Sequence, residues 1–199
     1  MSHISLEEQL QTAIKIAHSL YARGKVSGST ANISFRIADI IYISGSGTSF
    51  ETLTPEQFAA VTIDGLKKTE QKPSKELPLH AILYQKRPDI HAVLHTHSFH
   101  ATLWSCLSHE KEEDVIPNYT PYLKMKVGTV GMIPYAPPGS KALFEHMEKR
   151  VFCSDAYLLK QHGPVVPGAT LLDAYYGLEE LEESARLAWY LRQEKCNIC

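Results

Sequence analysis

Three short clusters carry the residue types from which a reactive site is built. His95-Thr96-His97 sets two imidazoles two positions apart. In an extended backbone residues at that spacing share a face, so both rings can reach one divalent metal. His162, in Gln161-His162-Gly163-Pro164 after the apolar run Ala156 to Lys160, offers a third imidazole at the end of another expected strand. Three protein nitrogens leave a metal with positions open to substrate. His100 is close enough in sequence to support that set from behind. The second cluster is Pro73-Ser74-Lys75-Glu76, placed by Pro78 at the start of a helix running to about Lys86, because a proline deeper inside would break it. A helix start attracts anions, a substrate phosphate among them, and Glu76 is the candidate acid/base there. His80, one turn on, is expected to pack. The third cluster is Ser44-Gly45-Ser46-Gly47-Thr48, whose glycines allow a tight turn with exposed N–H groups, an anion loop. Asn32, after Gly28-Ser29-Thr30-Ala31, adds a side-chain amide beside a small-residue turn.

The elements that must hold these clusters follow from periodicity and punctuation. Ser5 and Glu8 form a capping box ahead of Leu6, Leu10, Ala13, Ile14, Ala17 and Tyr21 on one helical face. Ile33 to Phe35 and Asp39 to Ile43 read as short strands, Thr54-Pro55-Glu56 as the opening of a brief helix, and Val61 to Asp64 as a strand before the Gly65 turn. Asp89 to His97 alternates as a strand, followed by a helix from about Ser98 to Leu107. The last helix starts at a Thr170 cap and ends near Arg192, with Leu178, Leu181, Ala185 and Ala188 inward and Glu179, Glu180, Glu182 and Glu183 on a solvated face. Several neighbouring strands are joined by links too short for a crossover helix. The expected fold is therefore α/β, a single-domain α/β/α sandwich over residues 1–199 with a largely antiparallel central sheet.

The totals narrow the function. A chain of 199 residues, 44% hydrophobic and 21% charged, suits one domain with a substantial core. A formal charge of -2 and no dense Lys/Arg run argue against nucleic acid or an anionic membrane as partner. No apolar run approaches the length of a membrane span and Met1 to Gln11 is too polar for a signal peptide, so a cytoplasmic location is expected. The four cysteines are too few and scattered for a disulfide framework, and Cys196 and Cys199, the one CxxC, read as two thiols on a tail.

With these residues in place, the chain resembles the class II aldolase/adducin family. The match runs through Gly28-Ser29-Thr30-Ala31-Asn32-Ile33-Ser34, Ser44-Gly45-Ser46-Gly47, Pro73-Ser74-Lys75-Glu76, His95-Thr96-His97 and Gln161-His162-Gly163 in family order. The resemblance implies zinc, or another divalent metal, one per subunit, held by His95, His97 and His162, with Glu76 as a fourth ligand or as the acid/base. It implies a phosphate pocket of Asn32, Ser46, Gly47, Ser74 and Lys75, a small phosphorylated sugar as substrate, and a homotetramer with active sites at subunit interfaces. Ala31 departs from the glycine common in the sugar-phosphate aldolases.

Within the family the chain is similar to 3-oxo-tetronate 4-phosphate decarboxylases through Thr120 to Gly128, Pro134-Tyr135, His162 to Val166 and Glu179 to Leu187. It departs from them at Ala136-Pro137-Pro138-Gly139-Ser140, where they usually carry an aromatic and an Arg followed by Pro-Gly-Asp. The implied reaction is loss of carbon dioxide to give dihydroxyacetone phosphate through an enediolate. The alternatives are a fuculose-phosphate type of aldolase, an epimerase or dehydratase, and a non-catalytic module like the adducin head. An aldolase needs a further proton carrier, and Tyr119, Tyr122 and Tyr135 all lie in a suitable stretch.

Overall fold

The computed structural model of the chain describes residues 5–194; Cys196 and Cys199 lie outside the described residues. Helix α1 (Leu6–Ala22) begins as its sequence dictates. The Ser5 hydroxyl accepts from the Glu8 N–H at 3.2 Å and the Glu8 carboxylate accepts from the Ser5 N–H at 2.8 Å. Strands β1 (Asn32–Ile37), β2 (Ile40–Ser44) and β3 (Phe58–Thr62) form an antiparallel meander, with a 3-10 turn at Pro55–Gln57 before the third. After α2 (Leu77–Lys86), β4 (Ala92–His95) returns beside β1. Then follow α3 (Phe99–Ser105), α4 (Pro121–Lys126), β5 (Val130–Ile133), α5 (Lys141–Arg150), β6 (Ala156–Leu159), β7 (Gly163–Gly168) and α6 (Leu171–Glu194). Among the described residues the sheet has seven strands in the order β3-β2-β1-β4-β7-β6-β5.

This sheet is mixed, a correction to the largely antiparallel one expected. β5 and β6 run parallel, Val130 opposite Ala156 and Ile133 opposite Leu159. The cause is α5, a crossover helix that the sequence hides: only Leu143 and Met147 of its ten residues are buried, so its apolar stripe is thin. β7 was hidden for another reason, since Gly163, Pro164, Pro167 and Gly168 are residues that ordinarily interrupt a strand.

Alternation gives the sheet two buried faces. Ile33, Phe35, Leu94, Leu158 and Val166 join Leu20 of α1, Trp104 of α3 and Leu178 and Ala185 of α6 in one cluster. Ile41, Val93, Tyr157 and Val165 point the other way, toward Leu79 and Leu83 of α2 and Leu143 and Met147 of α5. Helices thus cover both faces, and the strand ends are left to carry side chains into a cleft.

Three boundaries differ from expectation in ways that matter for the site. α2 starts at Leu77, with Glu76 as its cap residue, because Pro73 is held by a bridge to Gly45 and the Leu77 N–H is taken by the Ser74 carbonyl at 3.1 Å. β4 ends at His95, so His97 lies beyond the strand, and β3 spans Phe58–Thr62 rather than Val61 to Asp64. Glu182 is not solvated: it is 2% exposed, and neither Glu179, Glu180 nor Glu183 is fully exposed.

Candidate metal centre and anion pocket

Sheet register assembles the centre. Asn32, at the start of β1, is the cross-strand partner of His95 at the end of β4, and His95 in turn faces Val165 of β7. The turn from β6 to β7 then swings His162 over the end of β4. Gln161 takes a positive φ of 56° in that turn, a conformation that non-glycine residues keep only when their surroundings impose it. Gly163 permits the close approach, since a Cβ there would collide with the Thr96 carbonyl.

The result is a compact triangle. Ring centroids are 5.2 Å apart for His95 and His97, 4.8 Å for His95 and His162, and 4.8 Å for His97 and His162. One ligating atom from each ring lies within 4.8 Å of the others. Glu76 reaches in from the start of α2, with Oε2 3.2 Å from His95 Nε2 and Oε1 3.5 Å from His162 Nε2.

The chemistry of these donors fits a cation. His95 Nδ1 is 2.9 Å from the Pro164 carbonyl, which can only accept, so Nδ1 carries the proton and Nε2 presents a lone pair. That lone pair faces a carboxylate oxygen, and two electron-rich atoms at this distance need positive charge beside them. Four buried atoms of the cluster have no hydrogen-bond partner: His95 Nε2, His97 Nε2, His162 Nδ1 and Glu76 Oε1. Buried polar atoms are rarely left unpaired, and His95 Nε2, His97 Nε2 and Glu76 Oε1, with the His162 Nε2 that lies 3.5 Å from that carboxylate oxygen, match the donor types of a metal site.

Burial also keeps the rings in their ligating form. It pushes the His95 imidazole down to about 3, helped by the like charge His97 would carry and opposed by the bond to Pro164. His162 is pushed down to about 4, first by burial and then by His95, and His97 is lowered, again chiefly by burial. All three are therefore neutral near pH 7.

A cavity of about 330 Å³ opens beside this centre. Its lining includes Glu76, His97 and His162 together with Asn32, Ser46, Gly47, Ser74 and Lys75, so the structure brings together the residues singled out in the sequence. His95 lies behind them, fully buried. The Ser-Gly loop is fastened to the segment before α2 by the Ser46 N–H on the Lys72 carbonyl at 2.9 Å, and Gly47 turns at a φ of 79° that favours glycine. The Ser74 hydroxyl accepts from the Glu76 N–H at 3.3 Å.

Other placements were not anticipated. His100 does not back the ligands: its Nδ1 is 3.1 Å from Glu182, and its ring lies against Phe99 and Tyr190. Ser29, Thr30, Ala31 and Pro138 also line the cavity. The first three stand in the small-residue turn before Asn32; Pro138 is signalled only by its Pro-Pro-Gly turn. Tyr119, Tyr122 and Tyr135 are 38%, 57% and 55% exposed and are not among the lining residues.

Known proteins share this arrangement of elements. The model of the family described as Class II Aldolase and Adducin N-terminal domain matches residues 11–189. The chain is 36% identical over 188 residues to a 3-oxo-tetronate 4-phosphate decarboxylase of Haemophilus influenzae, covering 94% of this chain and 90% of the relative. It is 37% identical over 179 residues to an L-fuculose phosphate aldolase of Methanococcus vannielii, covering 89% and 94%. The crystal structure of YgbL from Klebsiella pneumoniae superposes with a TM-score of 0.91 at 33% identity, covering 94% of this chain and 91% of that one.

Proposed function

The chain belongs to the class II aldolase and adducin family, and from that premise we propose that it is a metal-dependent carbon–carbon lyase acting on a phosphorylated sugar acid, a decarboxylase of a 3-oxo-tetronate 4-phosphate. The observation that carries the reading is the pairing of three neutral imidazoles and a carboxylate with a cavity whose lining also includes Ser46, Gly47, Ser74 and Lys75. His95, His97 and His162 would hold a divalent metal, zinc in this proposal, which would supply positive charge to polarise a carbonyl and stabilise oxyanion character.

The chain's own residues do the rest. The Lys75 ammonium, the Ser46 and Ser74 hydroxyls and the backbone of Gly47 seat the phosphate, which fixes the sugar's reach toward the histidines. The bond from the carboxylate carbon to C2 breaks, and its electron pair enters a new C2–C3 double bond as the C3 carbonyl takes up negative charge. Carbon dioxide leaves. Glu76, a carboxylate at rest, takes up a proton from water and delivers it to C2, and the product is dihydroxyacetone phosphate.

Aldolase chemistry is the second reading, because cleavage of the same C–C neighbour leaves the same enediolate and the aldolase relative matches over a similar span. It requires a proton carrier at the departing hydroxyl. Tyr119, Tyr122 and Tyr135 stand outside this cavity, so a tyrosine would come from a neighbouring subunit, which supports the proposal of a homotetramer with sites at its interfaces. The decisive experiment offers the zinc-supplemented protein a panel of phosphorylated keto acids and ketoses. Carbon dioxide with dihydroxyacetone phosphate is the expected outcome; an aldehyde without carbon dioxide selects the aldolase. Failure to bind any divalent metal removes both and leaves an interaction module.

A further inference from the structure

The β1 sequence Asn-Ile-Ser-Phe-Arg-Ile puts Ile33 and Phe35 into one core and Asn32, Ser34 and Arg36 on the opposite face. Such a polar strand face is ordinarily solvated. Here it is covered by α2, whose His80 and Tyr84 sit four apart on one side of the helix. Asn32 is 5% exposed, and Ser34, His80 and Tyr84 are at most 1% exposed. A buried polar group without a partner costs about 1–3 kcal/mol, so a helix–sheet contact holding four of them must satisfy all four.

They are satisfied in one continuous line. Tyr84 OH and His80 Nδ1 each lie 2.7 Å from Ser34 Oγ, His80 Nε2 lies 2.5 Å from Asn32 Oδ1, and Asn32 Nδ2 donates to Glu76 Oε2 at 3.1 Å. The direction of each bond is forced from the site backwards. A carboxylate only accepts, so Asn32 turns its NH₂ to Glu76 and its carbonyl to His80. That carbonyl needs a donor, so His80 carries its proton on Nε2. Burial pushes the His80 ring down to about 3, so it is neutral and its Nδ1 accepts. Ser34 then donates to Nδ1 and accepts from Tyr84. Every donor points toward Glu76.

We propose that Tyr84, Ser34, His80 and Asn32 form a one-way hydrogen-bonded relay that positions the Glu76 carboxylate, with His80 as the positioning residue at its centre. Oε2 is held by Asn32, which cannot rotate because both ends of its amide are engaged. Oε1 keeps no hydrogen-bond partner and is the oxygen left to the reacting centre. The proposal deepens the lyase reading and rests on it for the role of Glu76, but the relay has an observable of its own.

That observable is the His80 tautomer. Imidazole ¹⁵N spectra of the whole protein at neutral pH should show His80 as neutral with the proton on Nε2; an Nδ1–H tautomer or an imidazolium overturns the relay. The second arm compares two variants of the zinc-loaded protein. His80→Leu should lower kcat about 100-fold, the scale of a misplaced reacting group, with zinc stoichiometry unchanged and KM within about threefold. His80→Gln, whose amide can donate to Asn32 and accept from Ser34, should recover kcat to within about tenfold of wild type. A kcat loss of the same size in both, or a lower melting temperature with kcat intact, assigns His80 to packing and sinks the proposal. If His80→Leu does not fold, Tyr84→Phe serves, with a few-fold loss in kcat and unchanged KM expected and no change in kcat counting against. Should the wild type turn over no sugar phosphate, the lyase reading fails and the tautomer alone judges the relay.

Discussion

His80 and the site histidines illustrate how differently one residue type can be read from a sequence. His95, His97 and His162 were legible because HxH spacing and a strand-end position are geometric statements, and the structure closes them into a triangle under 5.3 Å on a side. His80 read as packing, since one histidine on a helix says nothing about the strand beneath it. Its burial makes a measurable difference. The folded ring titrates at about 3 against an ordinary 6.5, so between those values the unfolded chain binds the extra proton. The stability tied to this group is therefore fully present above pH 6.5 and is lost as pH falls toward 3, by about 1.4 kcal/mol per pH unit at most. Urea melts of wild type and His80→Gln between pH 4 and 7 should show a flatter pH dependence in the variant; parallel curves would mean that His80 is protonated in the folded state. At the same scale, Glu76→Gln should keep its metal and lose about 10²- to 10⁴-fold in kcat, the usual weight of a general acid/base. Unchanged turnover would remove Glu76 from the proton's path.

The elements show where the sequence was silent. α1, the capped start of α6 and the strand leading to His95 were legible because capping residues and apolar periods are local signals. α5, β5 and β7 were not: a thin stripe, four residues and a proline-rich strand take their identity from neighbours in the sheet. Glu182 is the most instructive miss, because four nearby glutamates on an amphipathic helix look like solvated charge. Burial pushes its carboxyl up, but the N–H groups of Ala101 and His100 and the side chains of Ser98 and His100 together hold it below the ordinary range. It accepts from the His100 and Ala101 N–H groups at 3.1 and 2.9 Å and so fastens the start of α3 directly after His97. Glu182→Ala leaves two buried N–H donors unpaired, a cost of about 2–3 kcal/mol, which lowers the melting temperature by about 5–10 °C in a chain this long. Zinc affinity should fall with it, because His97 loses its anchor, whereas Glu182→Gln keeps an acceptor and should retain most of both. Calorimetry with and without zinc separates the two effects. An Ala variant as stable as wild type would return Glu182 to the surface role its sequence suggested.

For the whole molecule, the centre is a place where distant pieces of chain meet under mutual repulsion. Residues 76, 95, 97 and 162 come from the start of α2, the end of β4 and the β6–β7 turn, and without a cation their lone pairs and carboxylate face one another across about 3–5 Å. The unfolded chain cannot hold these four groups together, so a metal bound here stabilises only the folded state. At a free zinc concentration 100 times the dissociation constant that linkage is worth about 2.7 kcal/mol, or a rise of about 5–10 °C in melting temperature for a chain of this size. Chelator should reverse the rise. His97→Ala should abolish it while leaving the metal-free melting temperature nearly unchanged, since His97 is the partly exposed member of the triad and removing it also relieves repulsion. An equal zinc-induced rise in wild type and His97→Ala would place the metal elsewhere on the molecule. No rise in either would mean that the three histidines and Glu76 serve another cation or none, and the lyase reading would lose the group on which its charge stabilisation depends.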